Sequence, residues 1–194
     1  MNYDLIQTIT GVVGLITIFL LWWQIKSQLE WNKINLSLNK VDTSLLKTNG
    51  NLLRDFGIDM KERTMTNEDY NKLIDDQNRE LLFKAREILD MLEDFSALYN
   101  IKVLNKFFAY ESYSEDVLFF YSKFNKIIDF YRDKNDPSFY KNLEICASEF
   151  SKIRLNEQKN MIRKLKKIEK VRLKTMNKLE KIETEIKLKL NIIK

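Results

Sequence analysis

Between Leu5 and Ile25 the chain runs for twenty-one residues without one charged side chain, dominated by Ile, Leu, Val, Phe and Trp. As a helix rising about 1.5 Å per residue, this run reaches roughly 30 Å, the thickness of a bilayer's hydrocarbon core. It reads as a retained membrane span over residues 1–28. A cleavable signal would begin with basic residues and end on small ones, whereas Met1 to Asp4 hold no Lys or Arg and Trp22-Trp23 closes the run. The two Trp fall where an aromatic belt meets the headgroups. Lys26, Lys33 and Lys40 follow the span and only Asp4 precedes it. The excess of basic residues on one side then puts the amino terminus outside and the rest in the cytoplasm of a bacterial inner membrane, crossing the bilayer once. A single cysteine, Cys146, agrees with a reducing compartment and excludes an internal disulfide.

The span carries a polar stripe. Gln7, Thr10, Gly14, Thr17, Leu21, Gln24 and Gln28 recur at spacings of 3 and 4, so they share one helix face. Two readings fit. In one, Gly14 lets a second helix approach and the Thr hydroxyls bond across or back to their own backbone. In the other, several copies form a ring and the same face lines a wet opening.

Beyond the span the chain reads as all-helical. Only 4 Gly and 1 Pro serve 194 residues, too few for the tight turns a sheet requires. Trp31, Ile34, Leu38, Val41, Leu45, Thr48 and Leu52 follow heptad spacing and predict a juxtamembrane coiled-coil seam centred on Ile34, Leu38, Val41 and Leu45. Gly50 and Gly57 then interrupt it in a polar stretch, so residues 29–66 read as juxtamembrane helix and linker. Residues 67–150 read as an aromatic-rich helical bundle. Thr66 is placed to cap its first helix, with Glu68 and Asp69 in the first turn. Apolar residues keep helical period to Tyr99, and Asn100 suits the stop. A short helix from Lys102 to Tyr110 is expected next, then another capped at Ser112 or Ser114, then a last helix started by Asp136-Pro137. Fourteen Phe or Tyr lie between Phe95 and Tyr140, read first as core and second as a surface for a neighbouring subunit. Cys146, among Leu143, Ile145, Ala147 and Phe150, reads as a small buried hydrophobe.

Charge divides the chain. From Lys152 to Lys194 there are 15 Lys/Arg against 5 Asp/Glu, although the whole chain is only +5. Residues 151–194 therefore form a basic coiled-coil tail, free of Gly and Pro and, with the turns before it from Pro137, roughly 85 Å long if unbroken. Met161, Leu165, Ile168, Arg172, Thr175, Leu179, Ile182, Ile186, Lys189 and Ile193 supply its seam. Arg163, Lys164, Lys166, Lys167, Lys170 and Lys174 lie around it and fit a solvated face, self-pairing with the acids between Glu68 and Asp94, an anionic lipid surface, or RNA. No aromatic residue follows Phe150, so base stacking has no support in the tail.

Catalysis is not expected. The chain has no histidine, which excludes a Ser-His-Asp or Cys-His relay and any imidazole metal ligand. Glu87, Asp90 and Asp94 share a helix face and could hold a divalent ion, but that spacing is common on solvated helices. No Gly-rich phosphate loop occurs. No cofactor, metal or catalytic residue is assigned.

Ile88-Leu89, Glu93-Asp94-Phe95, Leu98-Tyr99-Asn100-Ile101, Phe119-Phe120, Ile127-Ile128, Phe130-Tyr131-Arg132 and Tyr140-Lys141-Asn142-Leu143-Glu144 together resemble the bacterial domain-of-unknown-function family 4760. That resemblance covers roughly residues 1–150 and implies a membrane helix, a linker and an aromatic-rich bundle. It departs at Asn100, where a Gly is frequent, and at Asn105-Lys106, where acids are common. In outline the chain is also similar to the membrane accessory proteins of type VI-B RNA-targeting CRISPR systems, which implies a multisubunit pore assisting antiviral defence. Their body resembles the HEPN class, whose ribonuclease signature needs an Arg followed by a His; without histidine, the implied action is through the membrane. Two functions follow as expectations. One is a self-associating single-pass membrane protein, either an oligomeric contact or a pore. The other is an anchored adaptor whose basic tail recruits an acidic protein or RNA.

Overall fold

The computed structural model describes residues 3–134 and 136–192, with every side chain among them except those of 4–10 and 187–192. The described residues form seven α-helices and no strand. They are α1 (Tyr3–Asn39), α2 (Thr43–Asp55), α3 (Asn67–Ile74), α4 (Arg79–Asn100), α5 (Lys106–Lys123), α6 (Asn125–Lys134) and α7 (Lys141–Ile192), with a 3₁₀ turn at Asp76–Asn78. Contacts divide the chain into one unit ending at Phe150 and another starting at Ser151.

The first unit is built around α4. Leu81, Ala85, Ile88, Leu89, Leu92, Phe95, Ser96 and Tyr99 are buried along it, and α2, α3 and α5 pack against it. The first turns of α7 complete this core with Leu143, Cys146, Ala147 and Phe150. Rings lock the layers edge to face, where their quadrupoles attract: Tyr99 to Phe150 at 5.0 Å, Tyr110 to Phe150 at 5.3 Å and Phe95 to Tyr113 at 5.3 Å between centroids. Half of the fourteen clustered aromatics are buried, although Phe107 stands exposed.

Several boundaries differ from the expectation, each for a local reason. The juxtamembrane seam is not one helix: α1 ends at Asn39, and Asp42 starts α2 by accepting hydrogen bonds from the Ser44 and Leu45 amides. Ile34 and Leu38 therefore lie on α1, Val41 in the connection and Leu45 on α2. The buried face of α2 is one residue out of the expected register, at Leu46, Asn49 and Leu53. The stretch read as a linker is fastened to the body. Gly57, at φ +80°, closes α2 through the paired bonds Gly57 N to Arg54 O and Ile58 N to Leu53 O. Ile58 and Met65 are buried, and the buried Lys123 ammonium donates to the Thr64 carbonyl at 3.2 Å, 3.9 Å from the Asp69 carboxylate.

Thr66 caps α3 as expected, its hydroxyl accepting from Asp69 N at 3.0 Å. The helix breaks at Asp75, whose own side chain caps the 3₁₀ turn, before α4 begins. Asn100 is the last residue of α4, but the left-handed residue that closes it is Lys102, at φ 63°. Ser112 and Ser114 cap nothing, because α5 starts at Lys106 with Asn105 as its cap. Asp136 and Pro137 form a turn closed by the Ser138 amide on the Asp136 carboxylate, and α7 begins only at Lys141.

Candidate functional site

Two surfaces and one joint stand out. α1 is the one helix among the described residues that is long and apolar enough to cross a membrane, and none of its apolar window is buried. Trp22 and Trp23 are exposed, and Lys26 places its ammonium 5.2 Å from the Trp22 ring centre, a cation over the negative face of an indole. Of the polar stripe, the side chains of Gln7 and Thr10 lie outside the described residues. A Cβ at Gly14 would meet nothing within 4 Å, so this face is open for a close approach. Thr17 turns its hydroxyl back to the Val13 carbonyl at 2.8 Å, and Gln24 is exposed on the same face.

The joint lies one helical stretch further on. α1 continues unbroken from Ile25 to Asn39, and its last turns pack on α5. Ser37 is fully buried there. Its hydroxyl donates to the Lys33 carbonyl at 2.6 Å and accepts from the Asn105 amide at 2.8 Å. Asn105 in turn caps α5 with its side chain, accepting from the Phe107 and Phe108 amides. Two turns into α5, the Tyr113 hydroxyl donates to the Leu38 carbonyl. Burial, with Asp116 nearby, pushes the Tyr113 phenol above its ordinary value, so it stays a neutral donor. From Ile25 to Ser37 the helix advances about 18 Å, with no flexible linker between the apolar run and the body. Sequence reasoning missed Ser37 and Tyr113, since neither the 68-residue nor the 75-residue separation leaves a local pattern.

In the second unit, Leu155 to Ile186 of α7 are exposed throughout. The expected seam is intact as a helix face, with Met161, Leu165, Ile168, Leu179, Ile182 and Ile186 all bare. Lys189 and Ile193 of that seam have side chains outside the described residues. Arg163, Lys164, Lys166, Lys167, Lys170 and Lys174 are exposed too.

The acids of α4 are engaged separately and not as a metal site. Glu87 accepts from Asn49 at 2.9 Å and from Lys84 at 3.1 Å, and these bonds hold its carboxyl below the ordinary value. Asp90 accepts from the Tyr140 hydroxyl at 2.8 Å and pairs with Arg86. Asp94 is exposed. Glu93, whose capping role the sequence did not suggest, accepts from the Asn142 and Leu143 amides at 3.1 and 2.7 Å and so caps α7 across 50 residues of chain. No cluster of acids and thiols among the described residues could hold a metal ion. Cys146 is buried, and its thiol is pushed up to about 12 by that burial, which makes it inert at neutral pH.

The model of a family described as domain of unknown function (DUF4760) matches residues 10–150. The match takes in the apolar helix, the joint and the packed body, and it stops where the exposed part of α7 begins. No curated protein and no solved structure matches the chain, so the likeness to type VI-B accessory proteins has no support from these comparisons.

Proposed function

We propose that this chain, which belongs to the DUF4760 family, is a single-pass membrane protein that associates with copies of itself and holds its helical domain rigidly at the membrane surface. The observation that carries the reading is the joint. A helix with a bare apolar run enters the body as a continuous rod, and Ser37 and Tyr113 fix its last turns to α5. An anchor that only tethered would need no such fastening. The basic residues after the run favour an outside amino terminus and a cytoplasmic body, in a bacterial inner membrane. The face of Gly14, Thr17 and Gln24 serves as the contact between spans.

Carbonate extraction of membranes, followed by mass determination in detergent, tests this. Retention in the pellet together with a multimeric mass is expected; release as a soluble monomer would end the reading. Dye leakage from liposomes separates the two forms of assembly. Leakage that rises with protein density supports the ring with a central opening and, with it, an effector role in antiviral defence. Tight liposomes at every density leave the contact alone. The bare basic face of α7 favours a second reading, an anchored adaptor for an acidic protein or RNA. Replacing Lys164, Lys166, Lys167 and Lys170 with Gln then weakens recruitment, and the binding falls steeply with salt.

A further inference from the structure

The exposed seam of α7 has a charge pattern that selects its occupant. With Leu165, Arg172, Leu179 and Ile186 at the a positions of a heptad, Met161, Ile168, Thr175 and Ile182 fall at d. The flanking g positions are then Lys164, Val171 and Lys178, and the e positions five residues on are Glu169, Met176 and Glu183. In a parallel, in-register pair each g residue faces the e residue five places along the other chain. Lys164 meets Glu169, Val171 meets Met176 and Lys178 meets Glu183, so the three central pairs are opposite in charge or apolar on both sides, and only the end pairs Glu157–Ile162 and Glu185–Leu190 set a charge against an apolar side chain.

An antiparallel pair that sets Arg172 against Thr175 brings Val171 to Lys178 and Glu169 to Met176, burying apolar side chains against charge. The Thr175 hydroxyl donates to its own Val171 carbonyl at 3.0 Å, so its d layer brings no unpaired hydroxyl to the contact. Arg172 at a opposes its own copy, a polar layer that disfavours trimers and slipped registers at a cost in stability. Arg163, Lys166, Lys167, Lys170 and Lys174 fall at b, c and f and stay in water. From this pattern we infer that residues 161–186 form a parallel, in-register two-stranded coiled coil with the same segment of a second copy.

This inference rests on the self-association proposed above and names the surface and the geometry through which it occurs. Two copies held in one membrane meet at raised effective concentration, which compensates for a seam of fewer than four heptads. The partner is a second copy and not an unlike protein, because the complementary charges are both on this chain.

The test uses the full chain in detergent and in liposomes. Leu179→Cys places a thiol at a, opposite itself in the parallel register only, while Lys170→Cys places one on the outside. Under mild oxidation Leu179→Cys should convert to a cross-linked dimer and Lys170→Cys should not, with buried Cys146 silent in both. A second pair of variants reads direction without cysteine. Chains carrying Lys164→Glu with Lys178→Glu should prefer chains carrying Glu169→Lys with Glu183→Lys over their own kind, by about tenfold when four ion pairs change from repulsive to attractive. A multimeric mass without the Leu179→Cys cross-link and without the preference overturns the coiled coil but leaves self-association standing. A single-copy mass for the unaltered chain overturns both.

Discussion

Ile18 in α1 and Leu165 in α7 are almost equally bare, 64% and 57% exposed, yet the helices around them are unlike. Around Ile18 the apolar side chains cover most of the circumference, Val13, Ile16, Phe19 and Leu20 among them, interrupted only by the uncharged stripe of Gly14 and Thr17, with no charge from Leu5 to Ile25. Around Leu165 they keep to one stripe, and lysines fill the remaining circumference. An uncharged surface that is apolar over most of a helix calls for apolar surroundings on most sides, as a bilayer supplies. A stripe flanked by charge needs a single partner with a matching stripe and leaves its other faces in water. Exposure alone does not distinguish the two helices; how it is distributed around each axis does.

The largest effect is expected where that distribution is broken in α1. Ile16→Arg with Leu20→Arg puts two guanidinium groups at bilayer depth, at about 2.5–3.5 kcal/mol each on insertion scales. The double variant should leave the carbonate-resistant membrane fraction, as read by immunoblot of pellet and supernatant. Next comes the stripe. Leu165→Asp with Leu179→Asp removes two layers from each helix of a pair and should weaken association at least about a hundredfold by sedimentation in detergent, given about 1.5–3 kcal/mol for each Leu buried. Membrane retention should not change. If retention fell with association, the two surfaces would share one partner and the contrast would fail.

The joint between α1 and the body gives a smaller effect. Ser37→Ala with Tyr113→Phe leaves the part-buried Asn105 amide and the Leu38 carbonyl without their partners, at about 0.5–1.5 kcal/mol of the body's stability for each bond. Denaturant unfolding followed by labelling of Cys146 reads this directly, because the buried thiol, pushed up to about 12, reacts only when the core opens. Retention and dimer mass should both stay as they were.

The smallest effect is at Glu87. Asn49 and Lys84 hold its folded carboxyl below the ordinary value near 4.5, so its contribution is present at neutral pH. It is lost as pH falls below about 4.5 and through the folded value. Glu87→Gln should remove that part of the acid sensitivity while costing less than about 1 kcal/mol at pH 7, by the same unfolding curve.

Much of this was legible in the residues. Uncharged length gave α1, the scarcity of Gly and Pro gave the helical class, and Thr66 with two acids behind it gave the start of α3. What escaped was tertiary. Asp42 could have been seen, since Asp-Thr-Ser before Leu45-Leu46 is a cap signal, and reading it would have split the juxtamembrane seam. Glu93 capping α7 and Ser37 receiving the Asn105 amide could not, because the partners lie 49 and 68 residues away and neither end carries a local pattern. The exposed tail was legible for the opposite reason: in the absence of tertiary contacts its sequence pattern is all there is, and heptad spacing with matched g and e charges can be read directly.

Thiol labelling of full-length Ile18→Cys and Leu165→Cys in liposomes, by a reagent that cannot cross lipid, sets the two helices side by side at several protein-to-lipid ratios. Ile18→Cys should stay unlabelled at every ratio, and Leu165→Cys should be protected when copies are crowded and labelled as they are diluted. Rapid labelling of Ile18→Cys, or a Leu165→Cys signal that ignores dilution, would contradict the division of the chain between lipid and a second copy.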